Sequence, residues 1–366
     1  MAIAVLVGAG CAGPDSRGPQ LSADDVAAEK RRQEIAHLRD YYAQLHRLDR
    51  VAFRIRVANR ESCGTWVAPQ LGMLAVSPQS LPRRIKSLSS EALDLSWDRP
   101  TVISVADGSP AAIAGIASGD ELVSFDGQRV PVARPRLWIA ERLQANGDAP
   151  IDVVLQRRGE QRTVTVRPVS GCAIPIQLQI NPDPGAFTDF RRIVIQSGML
   201  RLTPADADLA IVLGHELAHV TMGHYRKKVQ NMIVGTAIGA VVDGGLMMGT
   251  VNSGGLFTRH LQRAGLMAFS IAFEREADYV GAYYAARAGY DISGAAQVWR
   301  ALSLESPASI RLGSTHPTTP ERFVFMQKVA AEIADKQSRQ LPLVPELAAN
   351  QINVATTTNA ADDEDD

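Results

Sequence analysis

The spacing of hydrophobic residues changes along this chain, and each change marks a different kind of structure. From Ser22 to about Asn59, Val26, Ile35, Leu38, Tyr41, Tyr42, Leu45 and Leu48 recur among many charges. That spacing predicts an amphipathic helix with a solvated face, packed on a later domain. From Cys63 to Cys172 the pattern becomes short strands separated by Gly and Pro. Thr101–Val105, Ile151–Arg157 and Gln161–Val166 read as strands, Pro135–Gln144 as a helix and Asp126-Gly127 as a hairpin turn. Leu71–Val76 reads as a further strand, and Ser77–Arg99 as an insertion.

Phe187–Leu200 reads as a strand and turn, with an edge strand just before the next helix. That helix, within Thr203–Lys228, is expected to take Thr203 as N-cap and Pro204 as its first residue. Leu209, Val212, Leu213, Leu217 and Val220 recur at helical spacing, which predicts burial. The apolar run Met232–Val242 is too short for the roughly 20 residues a membrane span needs. Asp243 is expected to end it, leaving a packed or mobile flap over the site, with transient membrane contact as the alternative. Gly265–Ala288 reads as a second long helix, closed by Gly289. A last helix ends before Pro342.

Composition narrows the function classes. With 38 basic and 39 acidic residues in 366, the chain has no net field to attract nucleic acid. A hydrophobic content of 46% supports a substantial core. The run Asp362–Asp366 reads as a disordered acidic tail. Met1–Ala9 followed by Gly10-Cys11 resembles a bacterial lipoprotein signal, although no basic residue precedes it and Gly8 replaces the usual Leu. That resemblance implies lipidation of Cys11; a plain cleaved signal is the alternative. Cys63 and Cys172 have no metal-binding spacing. In an exported chain they are expected to form a disulfide, the alternative being two buried thiols.

The chemistry concentrates on the two long helices. His215 and His219 fall one turn apart on one face, with Glu216 beside them. Two imidazoles so placed can bind zinc, and the carboxylate can reach a water on it. Glu274 and Asp278 share a face of the second helix, and buried acids there call for a compensating cation. Glu276 points elsewhere, to solvent or to a local pair. Further on stand Thr315-His316-Pro317 and Arg322.

Together these motifs resemble the gluzincin family that contains CAAX prenyl endopeptidases, mitochondrial Oma-type proteases and bacterial periplasmic homologues, metallopeptidase family 48. The resemblance covers about Asn181–Ala334. It implies one zinc ion per chain on His215, His219 and Glu274, with Glu216 as general base. Asp278 would orient a ligand histidine, and His316 and Arg322 would line the site. For His316 two roles stay open: oxyanion donor, or a ligand that blocks the metal's open position. Ser109–Leu122 resembles the most recognisable stretch of a PDZ domain, which implies peptide capture by strand addition or a spacer.

The expected fold is α+β, a mainly helical zincin-type protease domain with a small edge-strand sheet plus a PDZ-like β-rich domain. The expected divisions are a signal segment at 1–11, a linker and helix at 12–62, the PDZ-like unit at 63–172, the protease domain at 173–340 and a tail at 341–366. The resemblance implies a zinc endopeptidase acting on misfolded or unassembled envelope proteins. Its setting would be periplasmic, on a lipid anchor, in the outer membrane rather than the inner. The alternative is a PDZ adaptor or holdase with a latent protease half.

Overall fold

In the computed structural model of the chain, residues 18–189, 192–248, 254–267, 270–305 and 319–347 are described. The Met1–Ala9 run, Cys11, the His316-Pro317 turn and residues 348–366 of the expected tail lie outside them, whereas Leu343, in the tail's first residues, accepts from Arg287 and packs on the main core.

Helix α1, Ala23–Ala58, starts at Ser22, whose hydroxyl oxygen accepts from the Asp25 amide at 3.0 Å. From Ile35 onward it is buried on two sides. Leu48, Val51, Ala52 and Ile55 join the main core, while Ile35, Leu38 and Tyr42 form a separate apolar cluster. Strand β1 (Val67–Gln70) follows, then β2 (Met73–Val76). Helices α2 (Arg83–Lys86) and α3 (Ser89–Leu93) come from the expected insertion. They cover the Ile35 cluster of α1 with Leu88 and Ala92, which gives the insertion a packing role.

The next elements are β3 (Thr101–Val105), α4 (Pro110–Ile113), β4 (Glu121–Phe125) and β5 (Gln128–Arg129). Asp126 and Gly127 both have positive φ, 52° and 68°, as a two-residue hairpin turn with the twist of its strands requires. Then come α5 (Pro135–Asn146), β6 (Ile151–Arg157), β7 (Glu160–Val166) and β8 (Val169–Cys172). The larger sheet runs β2-β3-β4-β6-β7, with β5 beside β4, so β2 is at its edge. Strands β1 and β8 pair antiparallel, with Val67 opposite Cys172. The Cys63–Cys172 disulfide closes the same end, with its Cα atoms 5.7 Å apart.

A three-stranded sheet follows, built from β9 (Ile176–Gln179), β10 (Ala186–Thr188) and β11 (Ile193–Gln196), in the order β10-β11-β9. The strand entering the next helix is therefore central, contrary to the edge expectation. Ile193, Val194 and Ile195 are all buried, and a strand buried on both faces belongs inside a sheet. Helix α6 (Ser197–Leu202) leads to α7 (Asp206–Thr221). The expected N-cap is also corrected. Thr203 donates its hydroxyl to Met199 O at 2.7 Å, closing α6, and Ala205 occupies the cap position of α7. Arg47 of α1 ties the junction, donating to Thr203 O, Ala205 O and the Asp206 carboxylate.

The remaining helices are α8 (His224–Met248), α9 (Leu256–Met267), α10 (Ser270–Arg287), α11 (Ala295–Glu305) and α12 (Pro320–Ser338). Asp243 lies inside α8 and does not end it. Its carboxylate accepts from the amides of Phe257 and Thr258 and from the Thr258 hydroxyl, so it caps α9. Gly265–Met267 belong to α9, and the second site helix starts at Ser270. It ends at Gly289, φ 78°, as expected. Among the described residues, no helix is long and apolar enough to cross a membrane.

Candidate metal centre

Helix α7 is buried continuously from Leu209 to His219, and α10 crosses it without an intervening side-chain layer. A Cβ on Gly214 would come 2.3 Å from Gly281 O, and one on Gly281 would come 2.5 Å from His215 N. The two backbones therefore touch, which brings Glu274 against both histidines. His215, His219 and Glu274 are buried, and their ligand-type atoms all lie within 4.8 Å of one another. His215 Nε2 and His219 Nε2 are 3.1 Å apart, each 3.4 Å from an oxygen of Glu274.

The outer ring nitrogens fix which edge of each imidazole faces inward. His215 Nδ1 is 2.9 Å from Asp278 Oδ1. Burial pushes the Asp278 carboxyl up, but the charge and hydrogen bonds of Arg322 outweigh it and hold it below the usual range. An ionised Asp278 accepts, so His215 carries its proton on Nδ1 and directs the Nε2 lone pair at the site. His219 Nδ1 meets His224 Nδ1 at 2.8 Å, and His224 Nε2 meets Glu276 Oε2 at 2.6 Å. Burial lowers the His224 pKa and keeps the ring neutral, while the His224 hydrogen bond lowers that of Glu276. His224 then donates through Nε2 and accepts through Nδ1, which makes His219 the Nδ1 donor. Once His215 gives up its second proton, both inward nitrogens can present lone pairs to a cation.

Two lone pairs facing each other at 3.1 Å, beside a buried carboxylate, repel unless a cation lies between them. The nitrogen and oxygen donors are those zinc accepts. The anionic surroundings act on protons too. Burial opposes charging of His215, yet Asp278 and Glu274 outweigh it and its pKa is pushed up to about 9. The residues present fit a divalent metal.

Arg322, in the first turn of α12, donates to Asp278 through Nε at 2.5 Å and Nη2 at 2.7 Å. Its guanidinium lies 3.9 Å above the Trp299 ring and 3.6 Å from Glu274 Oε2. Glu216 is buried on α7 beside His215.

Residues 176–330 match the model of peptidase family M48. The chain carries an M48 peptidase domain. Residues 101–157 match the PDZ domain model, so a PDZ domain precedes it. The mitochondrial metalloendopeptidase OMA1 of Schizosaccharomyces pombe is 26% identical over 168 residues, 44% of this chain and 48% of that protein. The beta-barrel assembly-enhancing protease of Yersinia pestis is 31% identical over 118 residues, 30% of this chain and 24% of that one. The chain thus spans less than half the length of these relatives. Among solved structures, the HtrA3 PDZ domain bound to a phage-derived ligand matches 28% of this chain and 88% of its own, at 19% identity and TM-score 0.23.

Within the M48 domain the structure brings His215, Glu216, His219, Glu274, Asp278 and Arg322 together; His316 and Cys11 lie outside the described residues. Sequence reasoning missed His224. Its signal was a histidine just past the helix-ending Gly223, with Glu276 available as the local partner that was anticipated without a name. It also missed Gly214 and Gly281, whose role is visible only once two helices cross.

Proposed function

We propose that the chain is a zinc-dependent endopeptidase. The observation that carries this reading is the convergence of His215 Nε2, His219 Nε2 and Glu274 with both imidazoles held from behind. His215, His219 and Glu274 would hold the zinc; bound there, it supplies Lewis acidity and lowers the pKa of its water. Glu216 takes a proton from the attacking water and passes it to the leaving amide nitrogen. Asp278 and the His224–Glu276 pair fix the orientation of the ligand rings. Arg322, engaged with Asp278 and 3.6 Å from Glu274, keeps the buried Asp278 carboxylate ionised, a positioning role that its geometry favours over contact with substrate. His316, outside the described residues, keeps both roles set out for it.

Substrates would be polypeptides in extended conformation. Edge strand β2 and helix α5 line a cavity of ≈ 1390 Å³ whose walls also include α1 and the edge strand β9. Two sheet edges facing one cavity support capture of a peptide by strand addition. Misfolded or unassembled envelope proteins are the substrate class that fits such sequence-tolerant backbone pairing. The signal-like N-terminus and the disulfide support an exported, periplasmic setting, with Cys11 as the lipid attachment point. Casein cleavage that stops with chelator, returns with zinc and disappears in Glu216→Gln tests the proposal. Cleavage indifferent to chelator would refute it.

A further inference from the structure

The helical hairpin of α8 and α9 is built inside out. Gly235, Gly239 and Asp243 recur on the side of α8 that faces α9. A Cβ on Gly235 would lie 2.1 Å from Leu261 O, and one on Gly239 would lie 2.5 Å from Thr258 Cα, so the small residues fill the contact. The buried carboxylate of Asp243 is spent on capping α9. The large apolar residues point the other way: Ile233 and Val234 are each 57% exposed, Ile238 53% and Val241 75%. A helix stabilised by water has its apolar stripe on the core and its polar face outward. Small residues between helices and aliphatic ones outside are the pattern of helices packed against lipid.

Charge points to the kind of lipid. Between His224 and Met267 the sequence has one acid, the buried Asp243, whereas Arg226, Arg259 and Arg263 are exposed. A hairpin whose exposed charges are all of one sign repels a second copy of itself and attracts an anionic surface. We propose that the α8–α9 hairpin lies on an anionic bilayer, with the outward side of α8 in the boundary between headgroups and acyl chains. The inference is independent of any lipid on Cys11 and of proteolysis. Because α8 begins at His224, the bilayer would hold the metal centre close to the lipid surface.

The test uses the full chain carrying Cys11→Ser, so that nothing is acylated there, and Ile238→Cys labelled with an environment-sensitive fluorophore. Vesicles of phosphatidylcholine with phosphatidylglycerol should shift its emission to the blue, with partitioning about tenfold stronger than to phosphatidylcholine alone. Combined Val234→Ser, Ile238→Ser and Val241→Ser should weaken partitioning on the order of a hundredfold and leave zinc binding intact. Three results would overturn the proposal: unshifted emission with vesicles, equal partitioning to both lipid mixtures, or a blue shift without vesicles in a sample sedimenting as a dimer. Should the triple variant fail to fold, the labelled chain still decides.

Discussion

Two helix pairs in this molecule are joined by glycine contacts, and they are turned opposite ways. Where α7 crosses α10, Gly214 and Gly281 let the backbones touch, and the charged residues lie inside with apolar residues around them. Where α8 meets α9, Gly235 and Gly239 do the same steric work, but large aliphatic residues are left outside. Close backbone approach is therefore neutral about function. In the first pair it shortens the distance between donors on different helices. In the second it removes bulk from the contact and leaves an apolar surface for something else. The two meet at the Met222-Gly223 turn, where His224 starts α8 and braces His219 on α7.

The largest expected effect separates chemistry from metal holding in the first pair. Glu216→Gln should reduce peptide hydrolysis by about 10²–10⁴-fold, the usual worth of a general base, with zinc content by atomic absorption unchanged. Glu274→Ala should instead yield a chain that loses zinc on dialysis; equal zinc loss in both variants would undo the division of roles. Next in size, His224→Ala should weaken zinc binding about 10–100-fold in a chelator competition. Glu276→Gln should do so by less, since its amide still accepts from the ring. Zinc affinity unchanged in His224→Ala would reduce this residue to packing.

Smaller effects distinguish the two glycine contacts. Gly281→Ala places a methyl against His215 N and should cost about 1–3 kcal/mol by thermal unfolding, with a parallel loss of zinc affinity. Gly239→Ala should loosen only the hairpin. Its signature is faster amide exchange in α9, with zinc affinity retained and a smaller shift in Tm. Equal effects of the two substitutions on zinc would mean that the hairpin and the site are one mechanical unit.

Much of the site was legible because it follows from helical periodicity. His215 with His219, and Glu274 with Asp278, share faces by spacing alone, and acids in an apolar frame imply a compensating charge. Boundaries were less legible. Thr203 has the side chain of an N-cap, yet its hydroxyl is taken by the preceding helix, and sequence does not say which neighbour wins. Ile193-Val194-Ile195 does carry a signal against an edge position: an unbroken apolar run, with no alternation, belongs in the middle of a sheet. Asp243 closes the apolar run as read, but its capping of α9 was not legible, because Phe257 and Thr258 reach it only when the hairpin closes. His224 and Gly281 act through contacts between elements, which no local pattern encodes.

The clasp at the start of the PDZ-bearing unit has a consequence for modularity. Cys63 and Cys172 bracket the residues that match the PDZ domain, and their Cα atoms are 5.7 Å apart. Consecutive Cα atoms lie about 3.8 Å apart, so a single bridging residue could span that gap. The unit therefore hangs from the path joining α1 to β9 as an exchangeable cartridge. Another recognition module, or a short bridge, could replace it while the strands and helices beyond keep their course. Redesign would be needed along α1, where Leu88 and Ala92 now cover Ile35, Leu38 and Tyr42 and where His46, Asp49 and Arg50 meet Ile103, Ser104 and Asp107.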